Sequence, residues 1–420
     1  MASKSQIDKA GIILSNDSHR FDETWLESDY IFEEYRKKHL SPLTNLTHKI
    51  QEWLQYYNNS YFIAQRLKRK PQILRKLRRL SVRLTQLQDI GGCRIIVEKN
   101  SDVNNLVIFI REKISLSGFA KITKETDYRE SGRDDTGYRA YHIILDICGV
   151  KIELQLRSQL QHYWSESIER TSVIYGFRLK EKEGDPIIID YYKTFSNALH
   201  EIESGYSLGS DIEIILEQKR IDSEKLISQS SNDRALGGHV NSDIIKAMAE
   251  REGHNKGELN NWILVFDWTD GNFITWDVVG RNADEAIRQY SRYEMDFPEK
   301  NNYEVVLIGT SDISTVPHTH SHYFGIEHHN AALEKMEKSI IGISKRCQLD
   351  IGARKILMTM HSRKYWDERT VLTETLKNHF CKNVATFESS LNALREKGFI
   401  TGQNPISLNI KRSREIEEFV

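Results

Sequence analysis

Two stretches of this chain carry residue types that could do chemistry together. Gln88-Asp89-Ile90-Gly91-Gly92-Cys93-Arg94 sets a carboxylate just ahead of a glycine pair, and Gly149-Val150-Lys151-Ile152-Glu153-Leu154-Gln155-Leu156-Arg157 alternates polar with apolar residues. On a strand of that period Glu153, Gln155 and Arg157 share one face, while Ile152, Leu154 and Leu156 turn to the core. Three polar residues over an apolar back suit the floor of a cleft; taken alone, the alternation better describes a solvated edge strand. Two carboxylates from separate strands form a donor set for Mg2+, which takes one or two protein carboxylates plus substrate phosphate oxygens. Residues 66–80 hold Arg66, Lys68, Arg69, Lys70, Arg75, Lys76, Arg78 and Arg79 with no acid among them. Like charges this dense repel, so a polyanion such as a triphosphate is a natural compensation. Tyr138, between Gly137 and Arg139, offers a ring that could stack on a base, and a tyrosine packed at a strand end fits the spacing as well.

These residues need a scaffold. Trp25, Leu26, Ile31, Phe32 and Tyr35 are spaced for one helical face within residues 20–58, and a second helical pattern covers 46–57. Gly91–Val97 reads as a turn entering a buried strand, 104–113 as a helix, and 141–147 and 150–156 as strands joined at Cys148-Gly149. Helices follow at 160–171 and 186–205. The expected fold is α+β, a mixed sheet with helices around it, filling residues 1–225. A polar stretch inside 226–258 reads as a linker. Residues 259–330 then give strand, strand, helix, strand, with Asp270-Gly271 as a hairpin turn and Asn282 as helix cap. Residues 340–420 show three short helical patterns and a small hairpin, which describe a winged-helix-like module.

Composition narrows the class without naming it. The chain has 420 residues, 59 basic against 60 acidic, and a net charge of −1. Global charge therefore points to neither nucleic acid nor membrane, and only local patches can. The four cysteines form no C-x-x-C pair, so neither a disulfide framework nor a zinc ribbon is indicated. No leader-like apolar segment opens the sequence and no run of about 18 apolar residues interrupts it; a cytoplasmic location is the default expectation. His318, His320 and His322 alternate, with His328-His329 beyond them; a polar loop is expected there in preference to a metal site.

Four motifs in order carry a resemblance: Gln88–Arg94, then Thr136-Gly137-Tyr138-Arg139-Ala140-Tyr141-His142, then Ile152–Arg157, then Gln161-His162-Tyr163-Trp164 with Glu166. Arg66-Leu67-Lys68 and Lys76 add an upstream R-x-K element and the lysine after it. Together they resemble the synthetase domain of the RelA/SpoT-homologue alarmone synthetases over about residues 45–175. The resemblance implies a nucleotidyltransferase-like fold, ATP as pyrophosphate donor, and Mg2+. It implies that Asp89 and Glu153 bind the metal, with Glu153 also activating or orienting an acceptor 3′-hydroxyl. Arg66, Lys68, Lys76 and Arg94 would hold ATP; Tyr138 would stack on the acceptor base; His142, Gln155 and Arg157 would line the acceptor end. It implies a synthetase without the family's hydrolase half, whose control falls to the C-terminal units or to a regulatory or neutralising protein.

The acceptor is less defined than the donor. The family's Pro-Lys ahead of the Gly-Tyr pair is replaced here by Asp134-Asp135-Thr136, an acidic pair that would repel a nucleotide's 5′-phosphates. A guanine nucleotide, GDP or GTP, giving a (p)ppGpp-type product, is the leading expectation. The tRNA 3′ end or an adenine nucleotide is the alternative, in a growth-arresting toxin or phage-defence effector. A nucleotide-sensing winged-helix regulator is the alternative of another class, and the intact Asp89 and Glu153 count against it.

Overall fold

The computed structural model describes residues 2–16, 22–57, 61–133, 136–230, 260–267, 272–280, 282–298, 303–310, 349, 351–381, 384 and 387–417. Three helices open the chain: α1 (Lys4–Ser15), α2 (Glu23–Lys37) and α3 (Leu40–Leu54). Strand β1 (Tyr61–Leu67) leads into α4 (Lys70–Leu80), which carries most of the basic run. Pro71 opens α4 in its first turn, and Ser81 closes it in the left-handed region at φ 50°. Then come β2 (Gly91–Val97), α5 (Asn100–Ser117), β3 (Lys121–Asp127), β4 (Tyr141–Ile147) and β5 (Val150–Ser158). The β4–β5 hairpin turns at Cys148 and Gly149, both at positive φ (52° and 80°), as a two-residue turn of this kind requires. Three helices complete this part: α6 (Gln159–Tyr175), α7 (Pro186–Glu203) and α8 (Ser210–Ser230).

The expected mixed sheet is present and larger than expected. Its order is β3-β4-β5-β2-β1-β8-β6-β7, where β6 is Asn260–Asp267, β7 is Asn272–Gly280 and β8 is Tyr303–Thr310. Only β2 and β5 pair in parallel; every other pairing is antiparallel. The strand–strand–helix–strand order of the 260–310 unit is as expected, with α9 (Ala283–Asp296) as its helix. Its strands, however, extend the first sheet, because β8 docks on β1 at Gln65↔Gly309 and Arg66↔Ile308.

That joint is built around a buried amide. Gln65 is 2% exposed; its Nε2 donates to Asn261 Oδ1 (3.1 Å) and Thr44 Oγ1 (3.2 Å), and its Oε1 accepts from Thr47 Oγ1 (2.8 Å). A Cβ on Gly309 would overlap the Gln65 side chain, so any larger residue opposite this amide would have to push it aside. Behind the joint runs one apolar core shared by both segments, including Phe32, Leu67, Ile73 and Ile90 from the first and Ile263, Val265, Tyr290 and Leu307 from the second. A second core, with Leu43, Leu46 and Ile50 of α3 and Val103, Leu106 and Ile110 of α5, packs the sheet's back against Cys93, Ile95, Leu154 and Leu156.

Strands β1 and β3 and helix α1 were not anticipated, and α8 runs through Ser230 into the stretch read as a linker. The C-terminal segment has helices α10 (Ile351–Ser362) and α11 (Phe387–Glu396), then a two-stranded antiparallel hairpin of β9 (Ile400–Thr401) and β10 (Ser407–Leu408), around its own core. No helix among the described residues is long and apolar enough to cross a membrane.

The joint makes a prediction. Gly309→Ala must displace Gln65 from its three partners, and overpacking of this kind costs about 1–3 kcal/mol. A lower urea midpoint is expected; an unchanged one would mean that the amide is not held as described.

Candidate active site

The strand register assembles the site. Across the sheet, Arg66 stands opposite Gly92, Gly92 opposite Glu153, and Glu153 opposite Ile144. One step along, Ala64, Arg94, Gln155, His142 and Thr126 form the next row. Both rows face an open cleft of about 1730 Å3. The glycine pair divides between the two faces. A Cβ on Gly91 would lie 2.8 Å from Ile152 Cδ1 in the core, whereas one on Gly92 would meet nothing nearer than the Glu153 carbonyl oxygen at 3.8 Å. Gly92 thus leaves the cleft floor bare between Arg66 and Glu153.

Asp89 stands in the bend ahead of β2, outside the strand itself. Its Oδ2 accepts from Lys68 Nζ and from Lys76 Nζ, the latter at 2.7 Å. Burial pushes the Asp89 carboxyl up, but the two lysines outweigh it and hold the group well below the usual carboxylate range. Burial and the Lys68 charge push Lys76 down, against the pull of Asp89. Asp89 Oδ1 is buried and has no hydrogen-bond partner among the described residues.

Glu153 lies in a closed ring of hydrogen bonds. Its Oε1 is 3.0 Å from His142 Nδ1, and His142 Nε2 is 2.8 Å from the Tyr138 hydroxyl. Arg157 donates to that hydroxyl and to Gln155 Oε1. Gln155 Nε2 then donates to Glu153 Oε2 at 2.6 Å. With the imidazole proton on Nδ1, each hydrogen bond of the ring has one donor and one acceptor. Arg157 also lies 4.8 Å over the Tyr138 ring and donates to Ser165 Oγ at 2.8 Å. Burial and the nearby Asp89 charge push the Glu153 carboxyl up; the His142 and Gln155 contacts outweigh them and hold it below its ordinary value.

The remaining expected residues line the same cleft. Arg66 donates to Gln72 Oε1 at 2.7 Å. Arg94 meets Glu166 Oε1 at 3.4 Å, and burial, reinforced by the Arg157 charge, lowers it to about 10. The basic run is in part neutralised from within: Arg69 pairs with Glu304, Lys70 with Asp29 and Glu33, and Arg75 and Arg79 with Glu181. Sequence reading missed Lys180, which lines the cleft, donates to Ser165 Oγ (2.7 Å) and Glu169 Oε1 (3.0 Å), and is lowered by burial to about 8. Its Arg178-Leu179-Lys180-Glu181 context carries no signal beyond surface charge. Ile287, Ser291 and Glu294 of α9 also line the cleft and were invisible because their segment was set apart as a separate unit. Asp134, Asp135 and the histidines at 318–329 lie outside the described residues.

Mg2+ fits this donor set. Two carboxylates act on each other across the cleft, and Asp89 Oδ1 is a buried oxygen with no hydrogen-bond partner among the described residues. Among the described residues no cluster of three or more His, Cys, Asp or Glu stands as a metal site, so substrate oxygens would complete the coordination.

The model of a region found in RelA / SpoT proteins matches residues 65–178, from the strand that carries Arg66 to the turn before Lys180. Residues 65–178 form a RelA/SpoT domain. Solved structures similar to the chain include small alarmone synthetase 2 from Bacillus subtilis (22% identity, 41% of this chain and 95% of that one, TM-score 0.35). Small alarmone synthetase 1 from Bacillus subtilis bound to pppGpp is similar at 20% identity, covering 44% and 95%, with TM-score 0.34. A GTP pyrophosphokinase family protein from Streptococcus pneumoniae is similar at 20% identity, covering 47% and 97%, with TM-score 0.35. No curated protein matches the chain. The matched region, residues 65–178, stops well before β6–β8, which extend the same sheet.

The low Asp89 value sets a pH dependence. A carboxyl depressed on folding adds stability that is fully present above its unfolded value, near 4, and is lost as pH falls through the folded value. Asp89→Asn leaves Lys68 and Lys76 facing each other uncompensated, at about 1–3 kcal/mol. The stability gap between wild type and variant should be widest at pH 7 and narrower at pH 3, read from urea titrations; a gap that widens in acid would contradict the pairing.

Proposed function

We propose that this chain transfers pyrophosphate from ATP to the 3′-hydroxyl of a guanine nucleotide, giving a (p)ppGpp-type product. The observation that carries the reading is the pair of differently held carboxylates in one cleft, Asp89 between two lysines and Glu153 inside the hydrogen-bonded ring. The RelA/SpoT match over residues 65–178 supports the same reaction class.

In this reading Arg66, Lys68, Lys76 and Arg94 bind the ATP phosphates, and Asp89 and Glu153 hold Mg2+. When bound, Mg2+ supplies positive charge against the phosphate oxygens. The acceptor enters over Tyr138, His142, Gln155 and Arg157, with its 3′-hydroxyl against Glu153. The 3′-oxygen attacks the β-phosphorus in line, a new oxygen–phosphorus bond forms, and the bond to the α-phosphate oxygen breaks to release AMP. The hydroxyl proton leaves toward Glu153. A carboxylate held below its ordinary value is a weak base, so Glu153 acts more by aiming the hydroxyl than by proton affinity. The ring fixes both Glu153 oxygens from the protein side and leaves each a second lone pair for the substrate. Most of the rate then comes from positioning and charge neutralisation.

The test is transfer of label from γ-labelled ATP with Mg2+, offering GDP, GTP, ATP and tRNA separately. Label on GDP or GTP, lost by about 100-fold or more in Glu153→Gln, is the expected result. Label only on tRNA or on an adenine nucleotide would replace the acceptor and keep the chemistry. No transfer in any arm would overturn the reading.

Gly92→Val gives a second check. A Cβ at this position meets nothing nearer than 3.8 Å and the side chain would point into the cleft, so the unfolding midpoint should stay near wild type, while the filled cleft floor should cost transfer about 100-fold or more. Full activity in that variant would place the reacting phosphates elsewhere.

A further inference from the structure

We propose that Glu294, on α9 and outside the RelA/SpoT domain, is a positioning residue for Lys68, acting through Arg36. The inference rests on the proposed role of Lys68 at the ATP phosphates.

Arg36 is 1% exposed, so its charge requires a partner at close range. Glu294 supplies it through both guanidinium arms, NH1 to Oε2 at 2.6 Å and NH2 to Oε1 at 3.1 Å. Glu33 meets NH1 at 3.3 Å, and the guanidinium lies 4.7 Å over the ring of Tyr290. Tyr290 sits one helical turn before Glu294, so α9 offers a ring and a carboxylate on one face. A guanidinium gripped in this way has a single direction left for its Nε–H, and that bond goes to the backbone carbonyl of Lys68 at 3.0 Å.

Lys68 is held on its other side as well. Its backbone N–H donates to the Ile90 carbonyl at 2.8 Å, one residue from Asp89. Both main-chain polar groups of Lys68 are therefore fixed, one by the Asp89 segment and the other by the guanidinium that Glu294 clamps. The next residue, Arg69, pairs with Glu304 at 3.0 Å, which ties the same corner to β8. The side chain that reaches Asp89 thus leaves a backbone whose orientation is set from β8 and α9.

The path predicts a selective defect. Glu294→Gln keeps the shape and removes the charge, and a misaimed Lys68 should raise KM for ATP about tenfold with the acceptor KM unchanged. Arg36→Lys retains a charge for Glu294 but has no Nε–H for the Lys68 carbonyl, so it should show the same selective loss. Glu294→Asp should recover part of the ATP affinity. Equilibrium binding of ATP with Mg2+ to the full chain, alongside unfolding midpoints, gives a readout independent of turnover. Wild type that binds ATP, with Glu294→Gln and Arg36→Lys both binding as tightly, overturns the inference alone. Equal losses in ATP and acceptor parameters that track the unfolding midpoint also overturn it, because they mark a purely structural pair. Wild type that binds no ATP overturns both this inference and the proposed reaction.

Discussion

Two carboxylates share one cleft, both largely withdrawn from water, and neither can stay ionised there without compensation. Much of the molecule is arranged around that constraint. Asp89 is compensated by two ammonium groups, one from the end of β1 and one from α4. Glu153 is compensated by hydrogen bonds from an imidazole and an amide whose own partners close a circuit. The two solutions differ in kind. The first engages one oxygen of its carboxylate, Oδ2, with both lysines; the second holds both oxygens and fixes the carboxylate's direction. In the proposed reaction both carboxylates would hold the cation, and Glu153 would in addition aim the hydroxyl.

The parallel pairing of β2 with β5 makes this possible. It sets Gly92 beside Glu153 and Arg94 beside Gln155, while the antiparallel neighbour brings His142 opposite Gln155. Because side chains alternate, a register slip of one residue would send Glu153, Gln155 and His142 into the core occupied by Ile152, Leu154 and Ile143. The apolar back of the sheet therefore specifies the polar front.

Most of the site was legible because its signals are local. Strict alternation placed Glu153, Gln155 and Arg157 together, and motif order brought in Asp89, Tyr138 and His142. What sequence reading missed is long-range or lacks contrast. Strand β3, Lys-Ile-Thr-Lys-Glu-Thr-Asp, is an edge strand, largely exposed and without an apolar stripe. The acids that offset Lys70, Arg69 and Arg75 lie at 29, 33, 304 and 181, so the basic run looked uncompensated. Gln65 and Asn261 gave no hint of meeting, since a buried amide pair has no sequence period. The 260–310 strands read as an independent sheet because alternation shows which face is buried and not which strand is the neighbour.

One consequence concerns the order in which the chain is made. Every residue of the RelA/SpoT domain is synthesised before the strand that covers β1. Asn261 is made first, then Glu294, and last Tyr303–Thr310; until each is in place Gln65 lacks its Asn261 partner, Arg36 lacks Glu294, and β1 has an open edge. An unpaired edge strand next to a half-formed anion site is both sticky and misaligned. The same late strand that covers the edge also brings Tyr303 and Glu304 to the cleft wall, so the edge is closed and the Lys68–Arg69 corner is tied down in one docking event.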